Sequence, residues 1–227
     1  IFVSPERFQT KSFREYLSTV NAFFSIAYAV IDEVHCLSEW GHDFRTSYLN
    51  LANAIRRHCS NFRFIGLTAT ASIRVLKDIQ NEFSIKTENV KTLLDYTRKE
   101  LEFEVIEDRK GKLNELYALV SAIDDAEAVL TPAGENSKCG LIFTQTVNGD
   151  KGCYSISNLL SNKYHRPVKF YSGTVPRGVA EKDFDTFKRA VQNEFKRNEC
   201  TLLVATKAFG MGVNKGNIYY TIHYGIP

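Results

Sequence analysis

Residues 26–35 have the sequence IAYAVIDEVH, in which a run of apolar residues ends directly at two carboxylates. A short apolar run of this kind is typical of a buried strand, and in a parallel sheet ligands bind just beyond the carboxyl ends of the strands. Asp32 in that position can hold a hydrated Mg²⁺ that bridges nucleotide phosphates, and Glu33 can orient or deprotonate an attacking water. The same carboxylates also fit the first turn of a helix, so this stretch alone leaves both interpretations open.

The sequence on either side of this stretch alternates in the same way. Apolar, β-branched or aromatic runs alternate with amphipathic stretches of helical length, which is typical of parallel strands joined by crossover helices. The pattern predicts strands near residues 1–4, 26–31, 62–67, 140–144, 168–172, 201–205 and 219–224. It predicts helices over residues 11–22, 45–58, 72–83, 111–123, 152–162 and 177–197. In the last helix, helical spacing predicts a buried stripe formed by Phe184, Phe187, Val191 and Phe195.

The alternation is interrupted once, across residues 84–108, where 90–94 and 101–106 look extended and no crossover helix fits between them. We therefore expect two domains, residues 1–95 and 96–227. A second irregular stretch, residues 124–138, carries Pro132 and Gly134 among acidic and small polar residues and predicts a mobile surface loop.

Composition excludes several classes of protein. The 227 residues are 44% hydrophobic and 24% charged, close to the globular average, which argues against a disordered, collagen-like or coiled-coil chain. The net charge of +3 is too small to indicate nucleic-acid binding by itself. No apolar run approaches the ~20 residues of a transmembrane helix, so we expect a soluble protein without a membrane partner. The five cysteines are scattered and never spaced C-x-x-C, which favours a reducing intracellular compartment.

Three further segments that follow predicted strands contain side chains or glycines that could bind a ligand. Residues 35–45, HCLSEWGHDFR, hold the only Trp, and their aromatic and basic side chains could stack on unpaired bases, although the Trp could equally be a hydrophobic anchor. A zinc site is disfavoured because His35, Cys36 and His42 lack a fourth ligand at a usual spacing. In residues 66–72, GLTATAS, the hydroxyls could relay between a nucleotide and a neighbouring domain, or Thr70 or Ser72 could cap the next helix.

The third segment, residues 206–215, has the sequence TKAFGMGVNK. Its glycines would let a backbone approach a phosphate closely. The segment is neither a dinucleotide fingerprint, since residue 215 is Lys where G-x-G-x-x-G requires Gly, nor a P-loop, since G-x-x-x-x-G-K-[ST] does not occur in the chain.

Taken together and in this order, the segments resemble the RecQ family of DNA helicases, in helicase superfamily two, over nearly the whole chain. Residues 4–8 resemble the family's motif Ib, 32–35 motif II, 36–45 its aromatic-rich loop, 67–71 motif III, 204–215 motif V and 223–227 the opening of motif VI. The second half departs from the usual pattern at residues 143–146 (FTQT) and 171–173 (YSG), which suggests a divergent member.

The resemblance implies an α/β fold of two RecA-like lobes with mainly parallel sheets, the first lobe truncated at its N-terminus. ATP would bind in the cleft between the lobes, and single-stranded DNA would run across them. In motif II, which includes His35, Asp32 would ligate Mg²⁺ and Glu33 would activate water. The other implied roles are coupling of DNA binding to hydrolysis (Trp40, His42, Phe44, Arg45), linkage of the two sites (Thr68, Thr70), contact with the DNA backbone (Arg7, Thr144, Thr206, Asn214), and nucleotide or interlobe contact (Gly210, Gly212, Arg98).

The expected activity is ATP-dependent 3′-to-5′ unwinding of single-stranded and tailed duplex DNA by a longer parent protein. The 227 residues alone should hydrolyse ATP poorly, because the family's P-loop and arginine finger are not among them. The parent would act in the cytoplasm or nucleoid of a bacterium, or in the nucleus of a eukaryote. Two alternatives stay open: a helicase-like module that binds DNA or a partner without ATP turnover, and an RNA helicase, which the DEVH sequence and the aromatic-rich loop disfavour.

Overall fold

The structure is a computed structural model that describes residues 1–38, 48, 50–69, 71–92, 98–107, 111–180, 182–210 and 213–225. The chain divides into two compact units, Ile1–Leu101 and Glu102–Pro227. This division falls within the irregular stretch 84–108 and slightly after the boundary predicted from the sequence. Among the described residues, no helix is both long enough and apolar enough to cross a membrane.

The first unit is built around two parallel strands. Strand β1 (Tyr28–Ile31) pairs with β2 (Arg63–Gly66), so that Ile31 lies opposite Gly66 at their carboxyl ends. Helices α1 (Lys11–Phe23), α2 (Leu51–His58) and α3 (Ile73–Phe83) supply most of the core, and short 3₁₀ turns span Pro5–Gln9, Val34–Leu37 and Thr87–Asn89. Gly66 gives Val34 the space it occupies, since a Cβ there would lie 3.2 Å from a methyl carbon of that side chain.

The second unit is a parallel sheet of four strands in the order β4-β5-β3-β6. The strands are β3 (Cys139–Phe143), β4 (Lys169–Tyr171), β5 (Leu202–Ala205) and β6 (Ile218–His223), and the helices are α4 (Lys112–Glu127), α5 (Cys153–Tyr164) and α6 (Phe184–Lys196). Every residue of β5 is buried, as expected for a central parallel strand with both faces covered. Gly140 on β3 leaves room for the ring of Tyr220, which a Cβ at that position would overlap.

The structure confirms the predicted mixed α/β fold with parallel sheets. The predicted stripe on α6 is also confirmed, because Phe184, Val191 and Phe195 are buried and Phe187 packs against the core. The predicted start of α2, at residues 45–47, lies outside the described residues.

Three local predictions were wrong. Residues 1–4 form no strand, because among the described residues of the first unit only β1 and β2 pair, and Phe2 is fully exposed. Helix α6 begins only at Phe184, because residues 174–180 form turns and bends in which Gly178 has a φ of +81°. Residues 101–106, which look extended in the sequence, form no helix and join no sheet, and Phe103 is 90% exposed.

The predicted mobile surface loop at residues 124–138 is the third correction, and it concerns the first part of that stretch. Helix α4 continues through Glu127, and an exposed loop without α-helix or strand spans residues 131–136. Between them, Val129 and Leu130 are buried, and the backbone N–H of Leu130 donates to the Asp124 carboxylate at 2.7 Å. The polar composition of the stretch as a whole did not reveal these two adjacent hydrophobic anchors.

Candidate functional site

The carboxyl ends of β1 and β2 bring together residues that are more than thirty positions apart in the sequence. The pairing of the strands continues beyond their ends, since Leu67 N–H donates to the Ile31 carbonyl at 2.9 Å and Val34 N–H donates to the Leu67 carbonyl at 3.0 Å. Asp32 and Glu33 on one strand end therefore lie beside Thr68 on the other, as ligand-binding residues do at the edge of a parallel sheet.

His35 connects the two strand ends. Its Nδ1 lies 2.8 Å from the Thr68 hydroxyl and 3.2 Å from the Glu33 carboxylate, and its side chain is only 17% exposed. The ring is thus held by its surroundings at the point where it meets the more exposed Glu33 carboxylate. This arrangement leaves Glu33 accessible to a substrate while one of its oxygens is oriented by an imidazole.

The backbone at Glu33 is in the left-handed region, with φ 48° and ψ 43°. A residue with a side chain costs about 1–3 kcal/mol in such a conformation, and strain of this kind clusters at functional sites. The conformation turns the chain from β1 into the 3₁₀ turn Val34–Leu37, whose Cys36 N–H donates to the Glu33 carbonyl at 2.9 Å.

Asp32 is exposed directly after β1. Its Oδ1 accepts the Glu33 N–H at 2.9 Å, which fixes the carboxylate, and the described residues offer no partner for Oδ2. The described part of the chain holds no group of three or more His, Cys, Asp or Glu that could form a complete metal cage. A single accessible carboxylate suits Mg²⁺, which usually keeps several waters and takes further ligands from substrate phosphates.

Sequence reasoning left the roles of the hydroxyls after β2 open, and the structure separates them. Ser72 caps α3, since its Oγ accepts the Val75 N–H at 3.3 Å, whereas Thr68 bonds with His35. Thr70 lies outside the described residues.

One contact that sequence reasoning missed involves Ser38, in the first part of the segment that resembles the aromatic-rich loop. Ser38 donates its hydroxyl to the Asp78 carboxylate on α3 at 2.5 Å, across forty sequence positions. No local pattern could reveal this pair. The four loop residues predicted to couple DNA binding to hydrolysis lie outside the described residues: Trp40, His42, Phe44 and Arg45.

In the second unit, hydroxyl residues follow three neighbouring strands. Thr144, Ser172 and Thr206 come directly after β3, β4 and β5 and are all buried, at 5%, 0% and 8% exposure. The Thr144 hydroxyl donates to the Thr146 carbonyl at 2.9 Å. Beneath this edge, burial raises the pKa of the Cys153 thiol to about 11, against weaker opposing hydrogen bonds that include those from the Thr144 and Ser172 hydroxyls.

The other predicted site residues are divided between the two units. Arg7 is exposed in the first 3₁₀ turn, and Arg98 is exposed near the end of the first unit. Asn214 is exposed after β5, and Gly210 follows the 3₁₀ turn Lys207–Phe209 with an ordinary φ of −69°. Gly212 lies outside the described residues.

Comparison with known proteins shows that both halves of the chain are similar to helicases. The DEAD/DEAH box helicase model matches residues 1–79, and the helicase conserved C-terminal domain matches residues 121–227. The whole chain is 30% identical to ATP-dependent DNA helicase Q5 of Rattus norvegicus and 29% identical to ATP-dependent DNA helicase RecQ of Bacillus subtilis. The chain is thus similar over its whole length to RecQ DNA helicases. It spans 22% of the length of the first relative and 33% of the second.

Solved helicase structures have the same fold as this chain. The helicase Lhr of Mycobacterium smegmatis, solved with single-stranded DNA and AMP-PNP, is 13% identical with a TM-score of 0.60, over 96% of this chain and 27% of that one. The predicted RecA-like architecture is thereby confirmed.

Proposed function

We propose that this chain is part of an ATP-dependent DNA helicase, in which the carboxyl edge of β1 and β2 carries the residues that hydrolyse ATP. The observation that carries the proposal is the contact of His35 with both Glu33 and Thr68, which joins the acidic strand end to the neighbouring strand. The relatives that match the whole chain are ATP-dependent DNA helicases by name, which supports the same activity for the longer protein.

Each residue of this edge has a role that follows from its surroundings. The exposed Glu33 carboxylate accepts a proton from the attacking water or orients it, as a general base must. His35 would share its Nδ1–H between the Thr68 hydroxyl and the Glu33 carboxylate, and these two contacts would fix the ring beside the carboxylate. Asp32, fixed through Oδ1 by the Glu33 N–H, would hold Mg²⁺ through its other oxygen or through a water. When bound, the cation would neutralise charge on the transferring phosphoryl group.

DNA contact is assigned to the residues that match the family's motifs. Arg7, Thr144, Thr206 and Asn214 would meet the backbone of single-stranded or tailed duplex DNA that is unwound in the 3′-to-5′ direction. The loop residues Trp40, His42, Phe44 and Arg45 would couple that contact to hydrolysis, while Gly210, Gly212 and Arg98 would serve the nucleotide. The 227 residues alone should turn ATP over poorly, because they contain no G-x-x-x-x-G-K-[ST] sequence.

The test is ATP hydrolysis by the full-length protein with and without single-stranded DNA. DNA should stimulate turnover, and Glu33→Gln should abolish it while ATP still binds. Glu88→Gln is the matched control, since Glu88 forms only an exposed ion pair with Lys86 in the same unit. If DNA does not stimulate ATP hydrolysis, the proposed helicase activity is wrong, and a module that binds DNA or a partner without hydrolysing ATP is favoured. Stimulation by RNA alone would favour an RNA helicase.

A further inference from the structure

A basic cleft, distinct from the β1–β2 edge, lies in the first unit between the 3₁₀ turn Pro5–Gln9 and helices α1 and α2. Its volume is about 370 Å³. Among the described residues, the polar side chains that line it are basic or amide groups and include no carboxylate: Gln9, Arg14, Asn50, Asn53, Arg57 and His58. Phe8 and Ala54 complete the lining.

The amphipathic pattern of α2 creates one wall of this cleft. Leu51, Ala52 and Ile55 face the core and are buried. Asn50, Asn53 and Arg57 recur at helical spacing on another side of the helix and line the cleft. Hydrogen-bond donors separated by one turn are thereby aligned along one surface.

The cationic groups of the cleft retain donors for a ligand. Arg14 uses Nη1 to donate to the Phe8 carbonyl at 3.2 Å, which fixes its position and leaves most of its five N–H donors available. Arg57 is exposed and has no ion pair or side-chain hydrogen bond within the described part of the chain. His58 is held through Nδ1, 2.9 Å from the Ser18 hydroxyl, which also ties α2 to α1.

The neighbouring acidic residue on α1 does not neutralise this charge. Glu15 follows Arg14 in the sequence, but its carboxylate pairs with Lys11 at 3.6 Å. Guanidinium groups beside amide donors, with no carboxylate lining the site, match the chemistry of a phosphate group. Arg7, which the proposed function places on the DNA backbone, lies one residue before Phe8 in the same 3₁₀ turn.

We infer that this cleft binds a backbone phosphate of the nucleic-acid strand, with Arg14 and Arg57 as the charged contacts. The inference rests on the proposed function, because it adds a phosphate contact to a strand that already meets Arg7. Phosphate contacts hold register and add affinity without reading sequence. The cleft would therefore increase the affinity of the first unit for DNA of any sequence.

The test measures binding of a fluorescent oligo-dT to the full-length protein by anisotropy at several salt concentrations. Arg57→Gln should weaken binding most at low salt and lower the slope of log affinity against log salt by about 0.7, the value for one lost phosphate contact on a single strand. Arg14→Gln/Arg57→Gln should lower the slope by about twice that amount. Arg57 has no side-chain partner among the described residues, so its single variant keeps the test valid even if the double variant unfolds.

The matched control is Arg56→Gln/Arg63→Gln, which removes the same charge from the same unit. Arg56 points elsewhere, since its guanidinium lies 5.3 Å from the centre of the Phe64 ring and donates to the Glu82 carbonyl at 2.7 Å. Arg63 begins β2, at the end of the sheet opposite to Thr68. The control should keep the wild-type slope, and thermal melting should show that every variant is folded.

The remaining outcomes separate failure of this inference from failure of the proposed function. If folded Arg57 variants keep the wild-type slope, the cleft does not hold DNA. If they keep DNA affinity but lose binding of poly-glutamate or of inorganic phosphate, the cleft takes an acidic peptide or a free anion instead. If the wild type binds DNA but shows no ATP hydrolysis that depends on Glu33, the proposed helicase activity is wrong. The salt dependence of DNA binding then still tests whether the cleft binds a phosphate. If the wild type binds no DNA, both are wrong.

Discussion

Replacing Thr68 by Val removes the hydroxyl that meets His35 at 2.8 Å and preserves the shape of the side chain. A net hydrogen bond contributes about 0.5–1.5 kcal/mol, and because Thr68 is exposed, water competes for it, so the lower part of that range applies. About 0.5–1 kcal/mol lost from the transition state corresponds to a two- to fivefold slower reaction. His35 would then hold the Glu33 carboxylate less firmly.

The assay is DNA-stimulated ATP hydrolysis by the full-length protein, with kcat and KM determined separately. Thr68→Val should lower kcat by about two- to fivefold with little change in KM for ATP, because the bond acts on the hydrolytic carboxylate. Thr68→Ser should retain most of the activity, since it keeps the hydroxyl. Thr87→Val makes the same change at an exposed site elsewhere in the first unit and should leave kcat unaltered.

Two results would refute this reasoning. Wild-type kcat in Thr68→Val would show that the contact with His35 does not serve hydrolysis. Equal losses in the Val and Ser variants would show that the methyl group or the backbone, and not the hydroxyl, matters at this position.

Two predictions concern the second unit. Gly140→Ala should lower its free energy of unfolding by about 1–3 kcal/mol, because the new Cβ overlaps the Tyr220 ring; urea unfolding followed by circular dichroism measures this, and Gly216→Ala, with open space around it, should cost less. Burial favours the neutral thiol of Cys153, whose pKa rises from an ordinary value near 9 to about 11, so the stabilisation present below pH 9 should be lost as the pH rises towards 11. Melting temperatures across that range should fall less steeply for Cys153→Ala, and equal slopes would contradict the assignment.

Local sequence patterns predicted helices and strands well where the spacing of hydrophobic residues agreed with the residues that begin or end an element. Helix α3 illustrates this, because Ser72 and the apolar positions of residues 72–83 mark both its start and its buried face. The start of α6 was wrong because the helical spacing of residues 184–195 was extended backwards across Gly178, where the chain turns. The apolar residues 1–4 and 101–106 have strand-like composition, but composition does not provide a pairing partner.

The features of the candidate site likewise fall into those that a local sequence pattern predicts and those that depend on tertiary contacts. Asp32 and Glu33 were predictable because a carboxylate pair directly after a buried strand is a local feature. The bond between Ser38 and Asp78 was not, since it depends on how the 3₁₀ turn Val34–Leu37 packs against α3. The left-handed backbone at Glu33 was equally hidden, because Glu carries no sequence signal for positive φ.

The separate cores of the two units affect how unfolding of this protein is observed. The buried cluster of the first unit shares no residue with the two clusters of the second, so each unit has the means to unfold as its own cooperative transition. Circular dichroism sums the signals of both units. Two separate steps in a urea titration would therefore show that the units unfold independently, and a single step would show that they unfold together.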